Sequence, residues 1–372
     1  MIGKNEYEIN AINGSFRRIQ NAPAHWGSAV CTRPRADRRR AVIGIAEQER
    51  LNVKAITYDR YGPPDVLRLE EVPTPTPGNR EVLIDVQAAS VNAADRVLMR
   101  ADPFWIRLMG MGMRRPKHRI LGFDVAGRIA AVGRDVEQLA PGDEVFGACS
   151  FGGFAEQVCV AESRLLPKPA ALSFEQAAAV PTAGSTALQA LCDRGGIEAG
   201  QKVLIDGASG GVGTFAVQIA KAFGADVTAV CSTRNVEIAR SLGADRVVDY
   251  TREDFSRGRQ RYDLILGANA HRSIWVYRRA LAPRGTYVMT GGSGAAILQA
   301  VLLGALITKT GSRRMGNMMA TARKRDLVAL AELIVAGKVE PFVDRTYPLR
   351  DVPEALRYME NEHARGKIAI TM

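Results

Sequence analysis

Residues that build metal centres and disulfide frameworks are scarce in this 372-residue sequence, which contains five cysteines and four histidines. The cysteines are scattered along the chain, at Cys31, Cys149, Cys159, Cys192 and Cys231. No two of them form a CxxC pair, which argues against a zinc ribbon and against a disulfide-stapled fold. A reducing, cytoplasmic location fits this cysteine usage best.

Long apolar runs are missing as well. No segment reaches about 18 consecutive apolar residues, and the longest candidate, residues 295–307, is about half as long as a membrane-spanning helix. The 47% hydrophobic content excludes disorder throughout and suits a soluble protein with two domains. Lysine and arginine outnumber aspartate and glutamate, which gives a net charge of +11. This charge suits an anionic partner such as NADP(H) or a membrane surface and, less well, nucleic acid. Simple solubility explains the charge equally well.

The first 52 residues differ from the rest. They are polar, arginine-rich between residues 33 and 40, and without hydrophobic periodicity, which predicts a disordered extension. A mitochondrial-type presequence is one alternative, although Glu6, Glu8 and Asp37 weaken it. Another is that natural translation starts at Val53, where the first strand pattern begins.

Residues 201–234 carry the clearest signal. A short β-branched run, residues 202–205, predicts a buried strand and leads into seven residues, 207–213, of which four are glycine. Apolar residues then recur at helical spacing from 212 to 223, and Gly224 stands where a C-cap glycine is expected. Residues 226–231 predict a second buried strand. Together they form one strand, helix, strand unit.

The small residues in this turn match a dinucleotide-binding fingerprint in which alanine replaces the first glycine. Ala208 permits the tight turn, Gly210 lets the backbone approach a pyrophosphate, and Gly213 allows close packing of helix on strand. The N-terminus of the helix adds free N–H groups and a positive dipole end. We therefore predict a dinucleotide site here, the alternative being a glycine-rich turn that serves packing alone.

The end of the second strand indicates which dinucleotide binds. An acid there would hold the ribose 2′-hydroxyl of NAD(H), but the chain has Ser232, Thr233 and Arg234. Two hydroxyl groups and a guanidinium suit a 2′-phosphate. We predict NADPH as the cofactor; an ordinary polar loop is the alternative.

The remaining segments predict an α/β protein with a strand-rich first part. Residues 53–169 alternate strand patterns with glycine and proline turns, and later strands alternate with helices as in a doubly wound parallel sheet. Residues 102–119 mix large apolar side chains with arginine and lysine. They predict a lid over an apolar substrate, a membrane-surface segment, or a packed helix with a basic outer face.

The chain resembles the zinc-free quinone oxidoreductase branch of the medium-chain dehydrogenase/reductase superfamily. The motifs that carry the resemblance are YDRYGPPDVLRLEEVP, ASVNAADRVLMR, ILGFDVAGRIAAVG, LAPGDEVFG, GGFAEQV, GASGGVGTFAVQIAKAFGADV, SLGADRVVDY and HARGKIAI. The resemblance implies a GroES-like, β-rich catalytic domain, residues 53–175 and 339–372, around a Rossmann NADP-binding domain, residues 176–338. It does not cover residues 1–50.

The zinc alcohol dehydrogenases of this superfamily carry metal ligands at positions that hold Asn92, Gly122, Phe123 and Asp124 here. Phe123 cannot ligate a metal, and the cysteine-rich structural lobe is missing, so the resemblance implies no zinc. His118 is the nearest histidine, and it has no partner histidine or cysteine in the sequence around it.

Without zinc, the natural reaction is hydride transfer from NADPH to a quinone or an α,β-unsaturated carbonyl compound. Asn92 is the candidate donor to the developing enolate oxygen; a turn-stabilising asparagine is the alternative. Asp95 either orients a water or ribose hydroxyl or caps a helix. The proton is expected from water, because no tyrosine lies in the ASVNAADRVLMR stretch.

By the same resemblance, Thr186 approaches the nicotinamide, and Ser209, Gly210, Gly211 and Val212 approach the pyrophosphate. Tyr250 is expected on the adenosine side beside Ser232, and Lys367 near the phosphates. For these last two, a core edge and a surface position are the alternatives. Two other functions stay open: a metal-free alcohol or aldehyde oxidoreductase, and a membrane-associated nucleotide-binding protein without turnover. Residues 295–307 suit a homodimer interface or burial within one chain.

Overall fold

The computed structural model describes residues 52–361 and 364–372. Residues 1–51 lie outside the described residues. The predictions of disorder, of a presequence and of a start at Val53 concern that region and stay predictions. Fifteen strands and nine α-helices, with short 3-10 and π segments, make up the described part.

Seven strands form one sheet, in the order β14-β15-β3-β4-β5-β7, with β6 paired to β3. The first and last parts of the chain meet in this sheet, because β15 pairs antiparallel with β3, with Ile368 opposite Val91. A separate pair, β1 and β2, lies beside it. These strands are β1 (Asn52–Thr57), β2 (Arg68–Pro73), β3 (Glu81–Val91), β4 (Asp124–Val132), β5 (Glu144–Ala148), β6 (Gln157–Ala161), β7 (Leu165–Pro167), β14 (Val343–Pro348) and β15 (Lys367–Thr371).

The other six strands form a parallel sheet in the order β10-β9-β8-β11-β12-β13. They are β8 (Lys202–Asp206), β9 (Asp226–Cys231), β10 (Arg246–Asp249), β11 (Tyr262–Gly267), β12 (Leu281–Met289) and β13 (Arg314–Asn317). The direction of winding reverses between β8 and β11, and ligands of doubly wound sheets bind at such a switch point. The predicted α/β class, with a Rossmann sheet beside a GroES-like β-rich part, is confirmed.

Helices cover both faces of the parallel sheet and the edge of the other. They are α1 (Ala93–Arg100), α2 (Phe174–Ala179), α3 (Pro181–Leu188), α4 (Gly211–Ala222), α5 (Val236–Ser241), α6 (Ile274–Ala280), α7 (Gly294–Thr310), α8 (Lys324–Val335) and α9 (Val352–Asn361). Side chains of α3, α4 and α8 share one buried cluster with β8 and β9. None of the described helices is long and apolar enough to cross a bilayer.

The sequence predicted the strand, helix, strand unit to within a residue: the predicted strands 202–205 and 226–231 are β8 and β9. The predicted helix 212–223 is α4, and Gly224 has the positive φ of 79° expected of a C-cap glycine. Residues 174–188 form two helices, α2 and α3, because Pro181 starts a new helix. The packed-helix alternative for residues 102–119 is wrong: the segment holds only a 3-10 helix, Phe104–Met109, with several exposed apolar side chains.

Candidate active site

The glycine-rich turn after β8 forms a close-packed cradle. Gly207 has a φ of 86°, and the N–H of Gly210 donates to its carbonyl oxygen over 3.1 Å. A Cβ on Gly213 would lie 2.1 Å from the Gly207 oxygen, so this position admits no side chain. A Cβ on Gly210 would meet only that same oxygen, at 3.6 Å. Gly213 is therefore needed for packing, whereas Gly210 leaves open space before the N-terminus of α4.

The end of the chain lies against this cradle. The N–H of Gly366 donates to the carbonyl oxygen of Ser209 over 2.8 Å, and Gly210 and Gly366 form an isolated parallel bridge. A Cβ on Gly211 would come 3.0 Å from the Cδ of Lys367. The aliphatic stem of Lys367 therefore passes over the cradle.

The ammonium of Lys367 points away from solvent into a buried polar cluster. It donates to Asn92 Oδ1 over 2.5 Å and to the carbonyl oxygen of Val91 over 3.0 Å, and it lies 3.6 Å from Asp124 Oδ2. Lys367 is 3% exposed and Asp124 is fully buried. Burial lowers the pKa of Lys367, and the charge of Asp124 opposes that shift. The alternative that Lys367 lies on the surface is wrong, because its cation belongs to the Asn92 cluster.

The orientation of the Asn92 amide follows from these charges. Its oxygen accepts from Lys367, while its Nδ2 donates to Asp124 Oδ2 over 3.0 Å and to the carbonyl oxygen of Ser90 over 3.2 Å. Both N–H bonds are therefore engaged inside the protein, and a substrate oxygen could accept from Asn92 only in exchange for one of them.

Asp95 has the geometry of a helix cap. Its carboxylate accepts the backbone N–H of Asn92 over 2.7 Å at the start of α1 and that of Gly122 over 2.9 Å. The side chain is fully buried, and burial raises the pKa of Asp95 to about 7 against the pull of these two bonds. Of the two predicted roles, the structure matches the capping role, because the carboxylate does not reach solvent.

Asp124 connects strand β4 with the start of helix α3. The sequence did not reveal this contact. Its Oδ1 accepts both the N–H and the hydroxyl of Thr182, over 3.0 and 2.6 Å, at the start of α3. One turn further, the hydroxyl of Thr186 donates to the carbonyl oxygen of Thr182 over 2.7 Å. The available signal was an acid inside the apolar strand pattern of ILGFDVAG, which must find buried partners.

At the far end of the site, the loop after β9 holds the predicted phosphate ligands. Arg234 and Thr233 are exposed, and Ser232 is half-buried. The buried amide of Asn235 donates to the hydroxyls of Ser209 and Ser232, over 3.0 and 3.2 Å, and so ties this loop to the cradle. Tyr250 follows β10, is 51% exposed, and donates its N–H to the last residue of β9.

An acid does approach this loop, from the neighbouring strand. Asp249, the last residue of β10, accepts from the Thr233 hydroxyl over 2.6 Å and from Thr251. These hydrogen bonds lower the pKa of Asp249, and the bond from Thr233 has the largest effect. The local sequence pattern did not predict this acid, because it comes from β10 and not from the end of β9, although parallel neighbours end at the same edge of a sheet.

The residues present fit a dinucleotide. Two buried polar atoms in the described part of the chain have no hydrogen-bond partner at this edge of the sheet: Asn235 Oδ1 beyond β9 and Thr290 Oγ1 beyond β12. They lie on either side of the cradle, three strand positions apart. Buried groups without partners are rare, so a bound ligand that satisfies both is a physical reason for them.

His118, Phe123 and Phe151 form an aromatic cluster. Phe151 stacks on His118 with ring centroids 3.9 Å apart, and Phe123 is tilted against Phe151 at 5.2 Å. No group of three or more His, Cys, Asp or Glu residues that could hold a metal ion occurs among residues 52–361 and 364–372.

Comparisons with known proteins agree with this architecture. Residues 78–170 match the alcohol dehydrogenase GroES-like domain, and residues 242–370 match the family described as zinc-binding dehydrogenase. The chain is 32% identical to the mitochondrial NAD(P)H oxidoreductase RTN4IP1 of Homo sapiens, over 96% of this chain and 97% of that one. It is 34% identical to the chloroplastic NADPH-dependent alkenal/one oxidoreductase of Arabidopsis thaliana, over 86% and 79%. The quinone oxidoreductase from Coxiella burnetii superposes with a TM-score of 0.76 at 30% identity, over 86% and 99%.

Proposed function

The chain belongs to the quinone oxidoreductase-like branch of the medium-chain dehydrogenase/reductase superfamily, and we propose that it is a zinc-independent reductase using NADPH. As a member of this branch it is an NAD(P)H-dependent oxidoreductase. The proposed acceptor is a quinone or an α,β-unsaturated carbonyl compound. We assign residues 53–175 and 339–372 to the catalytic domain and residues 176–338 to the NADP-binding domain.

The observation that carries the proposal is the path of Lys367. Its stem lies on Gly211 in the cradle and its ammonium lies on Asn92, so one side chain connects the dinucleotide site with the catalytic cluster. A protein that merely bound a nucleotide would have no need of a buried lysine, asparagine and aspartate at this junction, since burying charges is costly.

The bound nicotinamide would supply a hydride. The chain's own residues then hold the acceptor and stabilise the charge that develops on its oxygen. Asn92 has two bonds to exchange, and the bond to Ser90 is the longer, at 3.2 Å. We propose that the substrate oxygen takes the place of the Ser90 carbonyl, while Lys367 and Asp124 keep the amide oriented. Water supplies the proton.

Zinc independence is supported by the side chains at the expected ligand positions. Phe123 is aromatic, and the amide of Asn92 and the carboxylate of Asp124 are both committed to Lys367 and to each other. A metal ion here would have to displace a buried cation, which makes a Lewis-acid role for this cluster unfavourable.

The proposed path of the cofactor follows the carboxyl edge of the parallel sheet. Ser232, Thr233, Arg234 and Tyr250 receive the adenosine and its 2′-phosphate, Ser209 to Val212 receive the pyrophosphate, and Thr186 lies at the nicotinamide end. Arg234→Ala tests the choice of NADPH over NADH. It should weaken NADPH binding far more than NADH binding, and an equal loss for both would argue for an ordinary loop.

One assay separates the candidate functions. Purified protein is given NADPH or NADH with a quinone or a short enone, and the oxidised cofactors with a simple alcohol. Consumption of NADPH only with the quinone or the enone supports the proposal. Metal-free alcohol oxidation would instead indicate an alcohol oxidoreductase, and tight NADPH binding without turnover would indicate a nucleotide-binding protein.

We also propose that the chain forms a homodimer through α7. Burial within the chain accounts for one face of this helix only, since Leu298, Leu302 and Leu306 are each more than half exposed. The helix carries no charge before Lys309, so two copies can meet without repulsion. Leu302→Glu should convert the dimer to a monomer in sedimentation analysis, whereas a wild-type monomer would refute the interface.

The free cysteines favour a cytoplasmic location.

A further inference from the structure

The segment 102–119 exposes an unusual set of large apolar side chains. Phe104 is 60%, Trp105 53%, Leu108 65% and Met113 50% exposed. Large side chains of these types are normally buried, and an exposed cluster of them marks an interaction site. The segment therefore has a surface that water solvates poorly.

This surface is built into the fold. Ile106 is buried, and the hydroxyl of Tyr61 donates to the carbonyl oxygens of Met111 and Gly112, over 2.7 and 2.8 Å. The guanidinium of Arg107 lies over the Tyr61 ring, 4.6 Å from its centroid. Because these contacts fix the backbone of the segment on its buried side, the apolar side chains stay exposed to solvent.

The charge of the segment limits what can cover it. Exposed cations follow the apolar side chains, at Arg114, Arg115 and Lys117, whereas Arg119 is paired with Glu70 over 3.3 Å. No aspartate or glutamate occurs between residues 103 and 123. A two-fold contact with a second copy would set these cations against one another. The charge therefore favours an anionic partner over a second copy of the chain.

The apolar side chains decide between anionic partners. Trp105 and Phe104 could stack on bases, but Leu108 and Met113 have no flat face to offer a nucleic acid. A phospholipid surface accepts all four, since aromatic rings sit at the headgroup level and aliphatic chains reach the acyl boundary. Anionic headgroups then pair with the cations.

We propose that segment 102–119 docks the protein on an anionic phospholipid surface. Both ends of the segment are attached next to the catalytic cluster: Asp102 donates its N–H to Val97 in α1, and Gly122 donates its N–H to Asp95. Docking therefore brings the substrate cleft to the lipid surface, where lipophilic compounds concentrate. The docking itself does not depend on the reduction proposed above.

The test is co-sedimentation of the full chain with vesicles of phosphatidylcholine alone or of phosphatidylcholine with an equal part of phosphatidylglycerol. Binding is expected only to the anionic vesicles and should fall as salt rises. Phe104→Ser with Leu108→Ser, and separately Arg114→Glu with Arg115→Glu, should each weaken it at least about tenfold. The matched control, Met319→Ser with Val335→Ser, removes two exposed apolar side chains that lie outside both the segment and α7, and it should bind as the wild type does.

Tryptophan fluorescence gives a second reading. Anionic vesicles should shift the emission of a Trp26→Phe, Trp275→Phe variant to shorter wavelength, because Trp105 is the tryptophan that remains of the three, and vesicles of phosphatidylcholine alone should not. Equal binding to both kinds of vesicle, binding that survives both segment variants, or an equal loss in the control variant at Met319 and Val335 would overturn the proposal. So would tight binding of single-stranded RNA, lost in the segment variants, by a protein that ignores vesicles.

Discussion

The ammonium of Lys367 and the side-chain oxygen of Asn92 lie 2.5 Å apart, although the two residues are 275 positions apart in the chain. This bond brings the end of the chain to the start of α1 and fixes which way the Asn92 amide faces. Because the stem of Lys367 also lies on Gly211, the cofactor cradle and the catalytic cluster share one side chain.

Lys367→Met should therefore impair turnover more than cofactor binding. The loss of one charge-assisted hydrogen bond costs about 1.5–3 kcal/mol. If that bond orients Asn92 in the transition state, kcat should fall about 10- to 100-fold. The NADPH dissociation constant, measured by nucleotide fluorescence, should change little.

A matched control is Lys168→Met, which removes another buried lysine, one paired with Glu144. It should leave kcat unchanged. A large rise in the NADPH dissociation constant of Lys367→Met with normal kcat would show instead that the lysine serves the phosphates.

Asp249→Asn should sharpen the preference for NADPH. The carboxylate lies 2.6 Å from the Thr233 hydroxyl, and its lowered pKa keeps it ionised at neutral pH. A 2′-phosphate in this loop would be repelled by this charge. The NADPH KM should therefore fall, and the NADH KM should stay constant.

The opposite result has a clear meaning. If Asp249 accepted from the ribose 2′-hydroxyl of NADH, the variant would weaken NADH selectively and leave NADPH unchanged. Steady-state kinetics with both cofactors on one protein preparation separate the two outcomes.

The cradle could be predicted from the sequence because its signal is local. A strand, a glycine turn and a helix with its C-cap follow one another within residues 202–224, and each part depends on nearby side chains. The catalytic cluster could be predicted only in part. Asn92 was found through resemblance, but its partners Asp124 and Lys367 come from other strands, and no short-range pattern shows that they meet.

The same reason explains what the sequence did not reveal around the cofactor. The resemblance implied that Lys367 lies near the phosphates, which stays a prediction, and the neighbouring Gly366 does contact Ser209. The long side chain of Lys367 then carries the charge to Asn92, and only the packed structure gives that direction. Asp249 was overlooked because sheet order, which sets β10 beside β9, is not written in either strand.

Stability should fall as pH rises from about 4 to about 7, because of Asp95. Burial raises its pKa from 3.8 to about 7, so the folded protein holds a proton there that the unfolded chain has lost. At about 1.4 kcal/mol per pH unit, this contribution is at most roughly 4 kcal/mol. Asp95→Asn should lower stability at acid pH, where one backbone N–H loses its acceptor.

The measurement is the difference in melting temperature between the wild type and Asp95→Asn across this pH range. The difference should shrink, or change sign, as pH approaches 7. A difference that is constant with pH would mean that Asp95 is ionised in the folded protein throughout.

Two glycine substitutions should separate packing from binding in the cradle. Gly213→Ala places a Cβ 2.1 Å from the Gly207 oxygen, so it should destabilise the fold by about 1–3 kcal/mol or more. Gly210→Ala meets nothing closer than 3.6 Å and should fold normally. Its methyl group occupies the space before α4, so NADPH binding should weaken. Normal NADPH affinity in Gly210→Ala would place the pyrophosphate elsewhere.

Thr290→Val tests whether the unpartnered hydroxyl beyond β12 serves the cofactor. A buried hydroxyl without a partner costs free energy, so its removal should leave the free protein as stable as before or more stable. If the hydroxyl bonds to the nicotinamide end, the loss of that bond, worth about 0.5–1.5 kcal/mol, should weaken NADPH about two- to tenfold. The rise in melting temperature caused by NADPH should shrink accordingly.

The control is Thr308→Val, because the Thr308 hydroxyl is already bonded to the Gly304 carbonyl oxygen over 2.8 Å, on α7. It should show the reverse pattern, with a less stable free protein and an unchanged response to NADPH. If Thr290→Val behaves like this control, the hydroxyl stabilises the fold, and the carboxyl end of β12 is not where the nicotinamide end binds.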